Sequence, residues 1–503
     1  MSALRPKTKA RRKIVPPVLS ARLNARFTLQ AQADGRVTAG FEDYAVELGT
    51  LSANAMKLAR GLRTGLPLAS FSAQGSPVER EVDLLIRRLA RHGLLEYRLA
   101  HARSDEDIVV IEPQTADYWP QLAKLAASDS VALSRFAYLR RRGNDMVLES
   151  PRASALFRIC DPGLASALIA LTSPQKISKL RQQKLFPVSE LLALLLDCQI
   201  VFKLGAMRDQ GLRASEGDEH LVVWDFHDLL FHVHSTDGRQ ANPLGGRYPY
   251  VDTIAPPPAV RPPWPGKAID LQTYAAAQPD KKSPFAKLLR ERRSARDFDE
   301  QKPITLAELA GFLEGAARVL SKWSSPLDFG DGSFGPDIDY TTRPYPSAGS
   351  AYELELYLAV THCDGLAQGF YHYDADRHAL VPIEVRAQAL EAMIGAASYA
   401  MDAPGTPQIL LTIAARFNRI AWKYSAISYS LILRDVGVLL QTLYLTAADL
   451  GLGGCAVGTS NIDLFAKMTG LEFHVEGPVG QFALGRPSAI ETSANVPISR
   501  PRH

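Results

Sequence analysis

Cysteine is scarce in this chain: Cys160, Cys198, Cys363 and Cys455 are the only four among 503 residues, and no two form a C-x-x-C pair. That spacing argues against a closed zinc site and a disulfide framework, and for a reducing cytoplasm. A dominant sign of charge is missing too. Lys and Arg number 57 against 53 Asp and Glu, a net +4 that makes no demand for nucleic acid. No apolar run reaches the length of a membrane span; residues 191–196 are a short stretch closed by Asp197 and Cys198. Repeats of fixed period are also lacking. What the chain has is length, too much for one ordinary domain, with the 46% hydrophobic and 22% charged residues of a globular protein.

Residues 1–34 carry Arg5, Lys7, Lys9, Arg11, Arg12, Lys13, Arg22 and Arg26 before the first acid, Asp34, and no apolar h-region, which predicts a disordered basic arm. Residues 35–112 read as helix (51–62), helix (78–93, with Val82, Leu84, Leu85, Leu89 and Leu94 as its apolar stripe), then strands at 95–99 and 108–111. This order predicts a winged-helix-like module. A second module and connector are expected over 113–240: a strand pair at 131–139 and 146–148, helices at 164–171 and 186–196, and a strand at 200–204. Residues 224–234 hold three histidines and two aspartates, but their spacing fits no zinc pattern and the aromatics predict a packed connector, so no metal is expected. Prolines crowd 256–265 and mark 241–268 as a semi-rigid linker. A further domain follows over 269–490, then a tail, 491–503.

The chemistry-bearing motifs lie in this last domain. Arg292, Ser294 and Arg296 recur every second residue, with Arg293 between them; on an extended segment they share a side and suit a phosphate dianion. Pro346, Ser347, Ala348, Gly349 and Ser350 form a small-residue loop before a strand at 354–360, able to bring backbone N–H groups against a planar ring. Glycines crowd 451–458, ending at Val457 and Gly458, after a helix over 428–450. They permit close backbone approach to a flat ligand but do not make a Rossmann fingerprint. A closing strand ends at Arg486.

These segments in this order, with residues 369–374, His378 and the Trp422-Lys423-Tyr424 run, resemble the nitroreductase-like flavoenzymes, and most of all the SagB/ThcOx-type dehydrogenases that make thiazoles and oxazoles in modified peptides. The resemblance covers about 269–487. It implies an α+β fold with a nitroreductase-like FMN domain behind winged-helix-like modules, and a homodimer whose two chains line each FMN pocket. Arg292, Arg293, Ser294, Arg296 and Arg486 would hold phosphate and ribityl chain, residues 346–350 would run along the isoalloxazine, and Val457 and Gly458 would lie at its other edge. Lys423 and Tyr424, about 100° apart on a helix, would flank the substrate, one of them as general base; a desolvated lysine has its pKa lowered toward neutrality. His372, His378 and Cys455 read as structural.

The expected reaction is oxidation of thiazolines or oxazolines in a ribosomally made peptide, with dioxygen reoxidising the flavin. The expected partners are the azoline-containing precursor peptide and a cyclodehydratase complex, with no nucleic acid and no membrane. Deleting residues 1 to about 240 is expected to weaken peptide processing and leave FMN bound. An NAD(P)H-dependent nitro- or quinone reductase is the alternative that keeps the FMN site and makes Lys423 and Tyr424 incidental. A flavin-responsive DNA-binding regulator is the alternative from another class, although neither module has a helix crowded with base-reading side chains.

Overall fold

The computed structural model describes residues 16–488, apart from 42–43, 69–74, 103, 116, 184–188, 205–214, 237–251, 262, 264 and 276–282. The described residues fall into two compact units, split near residue 235.

The first unit is built on a seven-stranded sheet in the order Leu66–Pro67, Val18–Leu23, Leu95–Ala100, Asp107–Pro113, Ala155–Ile159, Asp145–Glu149, Tyr138–Arg142. Its main helix, Pro77–Arg91, starts where the sequence says it should: Ser76 and Glu79 form a capping box around Pro77. Gly93, at φ +65°, ends it, and the Leu94 N–H returns to the Leu89 carbonyl. The buried stripe is Val82, Leu85, Ile86 and Leu89, whereas Leu84 is half exposed. Ile86 replaces Leu84 because positions 82, 85, 86 and 89 follow the helical period and 84 does not.

Two expectations change here. Part of the expected basic arm is ordered sheet: Val18–Leu23 pairs with Leu95–Ala100, and Arg22 bonds Glu96 through the sheet face. Residues 1–15 lie outside the described set. The two modules also share backbone, because Asp107–Pro113 pairs with Ala155–Ile159 across the boundary expected at 112. The strand pair expected at 131–139 and 146–148 therefore splits. Ser130–Leu133 joins a three-stranded sheet with Gln175–Lys176 and Val201–Lys203, while Tyr138–Arg142 and Asp145–Glu149 extend the large sheet. Both sheets place their first strand between the second and third in chain order. Helices Gly163–Ala170 and Ser189–Asp197 follow the expected spans; residues 186–188 lie outside the described set. At the unit's end, Trp224 stacks on the fully buried His232, centroids 5.8 Å apart. The described linker residues 252–268 are exposed, with no helix or strand among them.

The second unit holds a six-stranded antiparallel sheet, Ala379–Ile383, Gly369–Asp374, Leu354–Val360, Ile409–Arg416, Glu476–Gly485, Gly453–Val457. Its three middle strands are apolar almost throughout and buried on both faces. Helix Leu306–Ala317 starts on a Thr305/Glu308 capping box and buries Leu309, Phe312 and Leu313, with Phe312 stacked on Phe482 of the sheet. Each such apolar side chain contributes roughly 1.5–3 kcal/mol on burial. The 22-residue helix Ser428–Asp449 turns Ile432, Val436, Leu439 and Leu443 to this core. By length and mean apolarity it would pass for a membrane span, as the core helix of a globular domain also does, and Arg434 and Asp435 sit side by side in its N-terminal half. A separate ribbon, Ser321–Asp328 with Phe334–Thr342, stands exposed, Trp323 stacked on Tyr340, and leads into the 346–350 loop.

Candidate active site

The long helix organises two clusters of candidate residues. At its C-terminal end is Tyr444. The Arg292 guanidinium lies 4.9 Å over the Tyr444 ring, and Ser294 Oγ is 2.9 Å from the Tyr444 hydroxyl. The same hydroxyl accepts the Ala456 N–H at 2.8 Å, and the Ala295 N–H donates to the Gly454 carbonyl. The segment 292–297 is neither helix nor strand and lies beside strand Gly453–Val457. Arg292 and Ser294 converge on one tyrosine, while Arg293 and Arg296 are exposed.

Arg486 is placed differently from expectation. Its backbone joins this cluster, with the Asp299 N–H donating to the Arg486 carbonyl, but its guanidinium grips both Glu308 oxygens at 2.7 and 2.8 Å. Arg486 holds Glu308 below the usual carboxylate range, helped by the Thr305 N–H. The guanidinium is thus committed to a helix cap. The glycines of 451–458 are also reassigned in part. A Cβ at Gly454 would lie 2.2 Å from the Phe482 ring, so this glycine serves strand packing, not ligand approach. Gly458 is exposed with open space around it, and Val457 is buried in the sheet's apolar cluster. Cys455 is buried in that cluster as well.

Near the helix's other end is Asp435, 6% exposed. Its Oδ2 accepts Ser347 Oγ–H and the Ala348 N–H, both at 2.9 Å. Ser347 Oγ in turn accepts the Tyr352 N–H at 2.9 Å. The loop so held is contorted: Gly349, Ser350 and Tyr352 sit at φ +58°, +54° and +47°. Left-handed backbone is costly for a tyrosine and a serine and persists only where surroundings enforce it. Lys423 Nζ donates to the Gly349 carbonyl at 3.3 Å and lies 5.6 Å from the Tyr424 ring centroid. A Cβ on Gly349 would come within 2.5 Å of Tyr424 Oη and 2.6 Å of Lys423 Nζ. The structure thus brings together Ser347–Gly349 with Lys423 and Tyr424, pieces separated by more than seventy residues.

Lys423 and Tyr424 were expected on a helix. They follow it instead, in the turn after Phe417–Ala421, before Ala426 at φ +58° redirects the chain. Lys423 is exposed, so the desolvation expected of it is not supplied within one chain. His372 faces Glu355 at 3.5 Å and His378 meets the Tyr373 hydroxyl at 2.8 Å.

Sequence reasoning missed Asp435, Glu353 and Tyr444. Asp435 had a signal: a carboxylate inside an otherwise apolar helix is expensive unless bonded. Glu353 opens a buried strand and is fully buried itself, with Oε2 3.2 Å from Ser347 Oγ. Burial, and then the neighbouring Asp435 carboxylate, push the Glu353 carboxyl well above the usual carboxylate range. Tyr444 had no signal beyond being polar at one end.

The two clusters are nine residues apart on the helix, which is 2.5 turns and about 14 Å of rise. Two and a half turns put them on opposite faces. One chain therefore carries two candidate half-sites: a cation and hydroxyl cluster at 292–296 and, at 346–350, a contorted backbone loop beside Lys423 and Tyr424. The donor chemistry of the pair fits a flavin nucleotide, phosphate donors on one half and close backbone on the other.

The nitroreductase family model matches residues 289–486, the whole of both half-sites. A Methanocaldococcus jannaschii protein assigned to the nitroreductases is 30% identical over 171 residues, 34% of this chain and 76% of its own length. The chain belongs to the nitroreductase family. Its nitroreductase domain makes it an oxidoreductase of a flavin-using kind. The cyanobactin oxidase ThcOx model matches residues 131–241, so the first unit carries a ThcOx-type segment. Solved structures with partial likeness include a Ralstonia eutropha protein described as a nitroreductase (24% identity, 42% of this chain and 88% of that one, TM-score 0.31). Another is the E. coli microcin synthetase McbBCD complex with truncated pro-MccB17 bound (20% identity, 54% and 97%, TM-score 0.37).

Proposed function

We propose that this protein is an FMN-dependent azoline dehydrogenase, oxidising thiazoline or oxazoline rings in a ribosomally made peptide to thiazoles or oxazoles. The observation that carries the reading is Lys423 Nζ on the Gly349 carbonyl with Tyr424 beside it, a pair of which one member, in its deprotonated form, would be the general base at the 346–350 loop. A ThcOx-type segment in the same chain supports azoline over nitro substrates. FMN, when bound, supplies the two-electron acceptor for the hydride lost from the azoline and hands the pair to dioxygen. Arg292 and Ser294 hold the phosphate end, with Arg293 and Arg296 at the mouth. Lys423 or Tyr424 takes the ring proton, leaving the aromatic azole. The first unit docks the precursor peptide or a cyclodehydratase partner.

We further propose that the working site is made by two copies. Opposite faces of the long helix hold the two half-sites, so the 292–296 side of one protomer completes the 346–350 side of its partner. Leu431, Leu433, Val438, Leu440 and Leu445 of the same helix are only half buried, which suits a helix packed against a second copy. Burial by that copy would supply the desolvation that Lys423 lacks in one chain.

The deciding experiment is the absorbance spectrum of the FMN-loaded protein, without air, before and after a thiazoline-containing peptide is added. Bleaching by peptide and recovery with oxygen are expected. Flavin indifferent to peptide but bleached by NAD(P)H would make the protein a reductase instead.

A further inference from the structure

The Asp435–Glu353 pair takes no part in the chemistry proposed above, yet it is the most polar feature buried in the domain. Asp435 receives two donors from one loop, the Ser347 hydroxyl and the Ala348 N–H. Glu353 is fully buried, and its Oε2 lies 3.2 Å from the same Ser347 Oγ that donates to Asp435 at 2.9 Å. Its second oxygen, Oε1, has no protein partner among the described residues. Two ionised carboxylates gathered round one buried hydroxyl repel, so the pair keeps one proton, which burial and then the neighbouring Asp435 place on Glu353.

We propose that Asp435, with Glu353 as its buried partner at Ser347, is the positioning residue that sets the 346–350 loop and, through the Gly349 carbonyl, Lys423 Nζ. A loop with three left-handed residues in four positions does not hold itself. Asp435 bonds the two residues directly before Gly349, and Gly349 bonds Lys423. Other groups around the pair keep the proton in place rather than displace it. The buried Tyr345 phenol faces Glu353 and, being pushed above its ordinary range by burial, stays neutral. Glu355, on the same strand, is already matched by His372, Arg343 and Arg416. Lys423 reaches the loop on its far side, at the Gly349 carbonyl.

The positioning role rests on the flavin reading above; the retained proton does not. The full chain is compared with Glu353→Gln and Asp435→Asn, both close in shape to the native residues. Without FMN, melting temperature is followed from pH 5 to pH 8. A carboxyl raised in the folded state binds its proton more tightly there than in the unfolded chain. The wild type should therefore lose melting temperature as pH rises from the usual Glu range toward neutrality. Glu353→Gln should flatten that slope, and Asp435→Asn should reduce it. A variant profile parallel to the wild type in both cases overturns the retained proton. With FMN and thiazoline peptide, Asp435→Asn should slow flavin bleaching by tenfold or more, with little change in the peptide concentration needed for half-maximal rate. An unchanged rate overturns the positioning role. If peptide fails to bleach wild-type flavin, the dehydrogenase reading falls, and so does the positioning role, while the melting profiles still decide the retained proton.

Discussion

The 292–296 segment and the 346–350 loop touch the same helix, and they are held in opposite ways. The first is a short run, neither helix nor strand, whose Arg292 and Ser294 meet one neutral ring, Tyr444. Its backbone is ordinary and its charge faces solvent. The second is nearly uncharged, has backbone in costly conformations and is fixed by a buried carboxylate. A binding end needs charge in reach of water, where a phosphate arrives. A catalytic end needs position, which costs strain and burial. Losing a side chain should thus weaken affinity on one half and rate on the other.

The largest effect should come from Lys423→Ala, about a hundredfold slower bleaching of flavin by thiazoline peptide. Since Lys423 is exposed, stability should change by no more than roughly 0.5 kcal/mol, which stopped-flow and denaturant melts would separate. On the other half, Arg292→Ala with Ser294→Ala should weaken FMN by about 1.5–3 kcal/mol, read by fluorescence titration, with the bleaching rate of loaded protein preserved. Mixing the Lys423→Ala chain with that double variant then tests the comparison itself. If each site draws its halves from two copies, hybrid dimers contain one site with no defect and activity returns; no recovery would place both halves in one chain. Gly349→Ala should cost about 1–2 kcal/mol through its left-handed φ and displace Lys423 and Tyr424, seen as a lower melting temperature and a slower rate together. The smallest effect concerns Glu308. Arg486 lowers its pKa in the folded state, so the pair's stabilisation is present above the usual Glu range and fades as pH falls through the lowered value. Glu308→Gln should remove a small part of the acid limb of the melting profile, and a steeper limb would contradict the pairing.

The binding half was far more legible than the catalytic half. Arg292 and Ser294 are near neighbours in the chain, and their shared approach to Tyr444 follows the alternation of period two, a local property, whereas Arg296 is exposed. Strand Leu354–Val360 of the central sheet was readable for the same reason: its apolar run acts within a few residues. Arg486 misled because a guanidinium has the same chemistry for a phosphate and for a nearby carboxylate, and only the fold brought Glu308 within 2.7 Å. The seven-stranded sheet was unreadable as one body, since pairing of Asp107–Pro113 with Ala155–Ile159 is a long-range choice that no local pattern encodes.

By itself, then, the sequence determined the charged segment at 292–296 and the loop of small residues at 346–350 through local spacing, and the nitroreductase-like domain through its resemblance to a known family. The tertiary structure decided the rest. It set Lys423 and Tyr424 in a turn rather than on a helix, and it put Asp435 under a loop 87 residues earlier in the chain. It also placed the two half-sites on opposite faces of one helix. Those are contacts between distant segments, fixed by which buried polar atoms find partners when the core closes, and that is settled only in three dimensions.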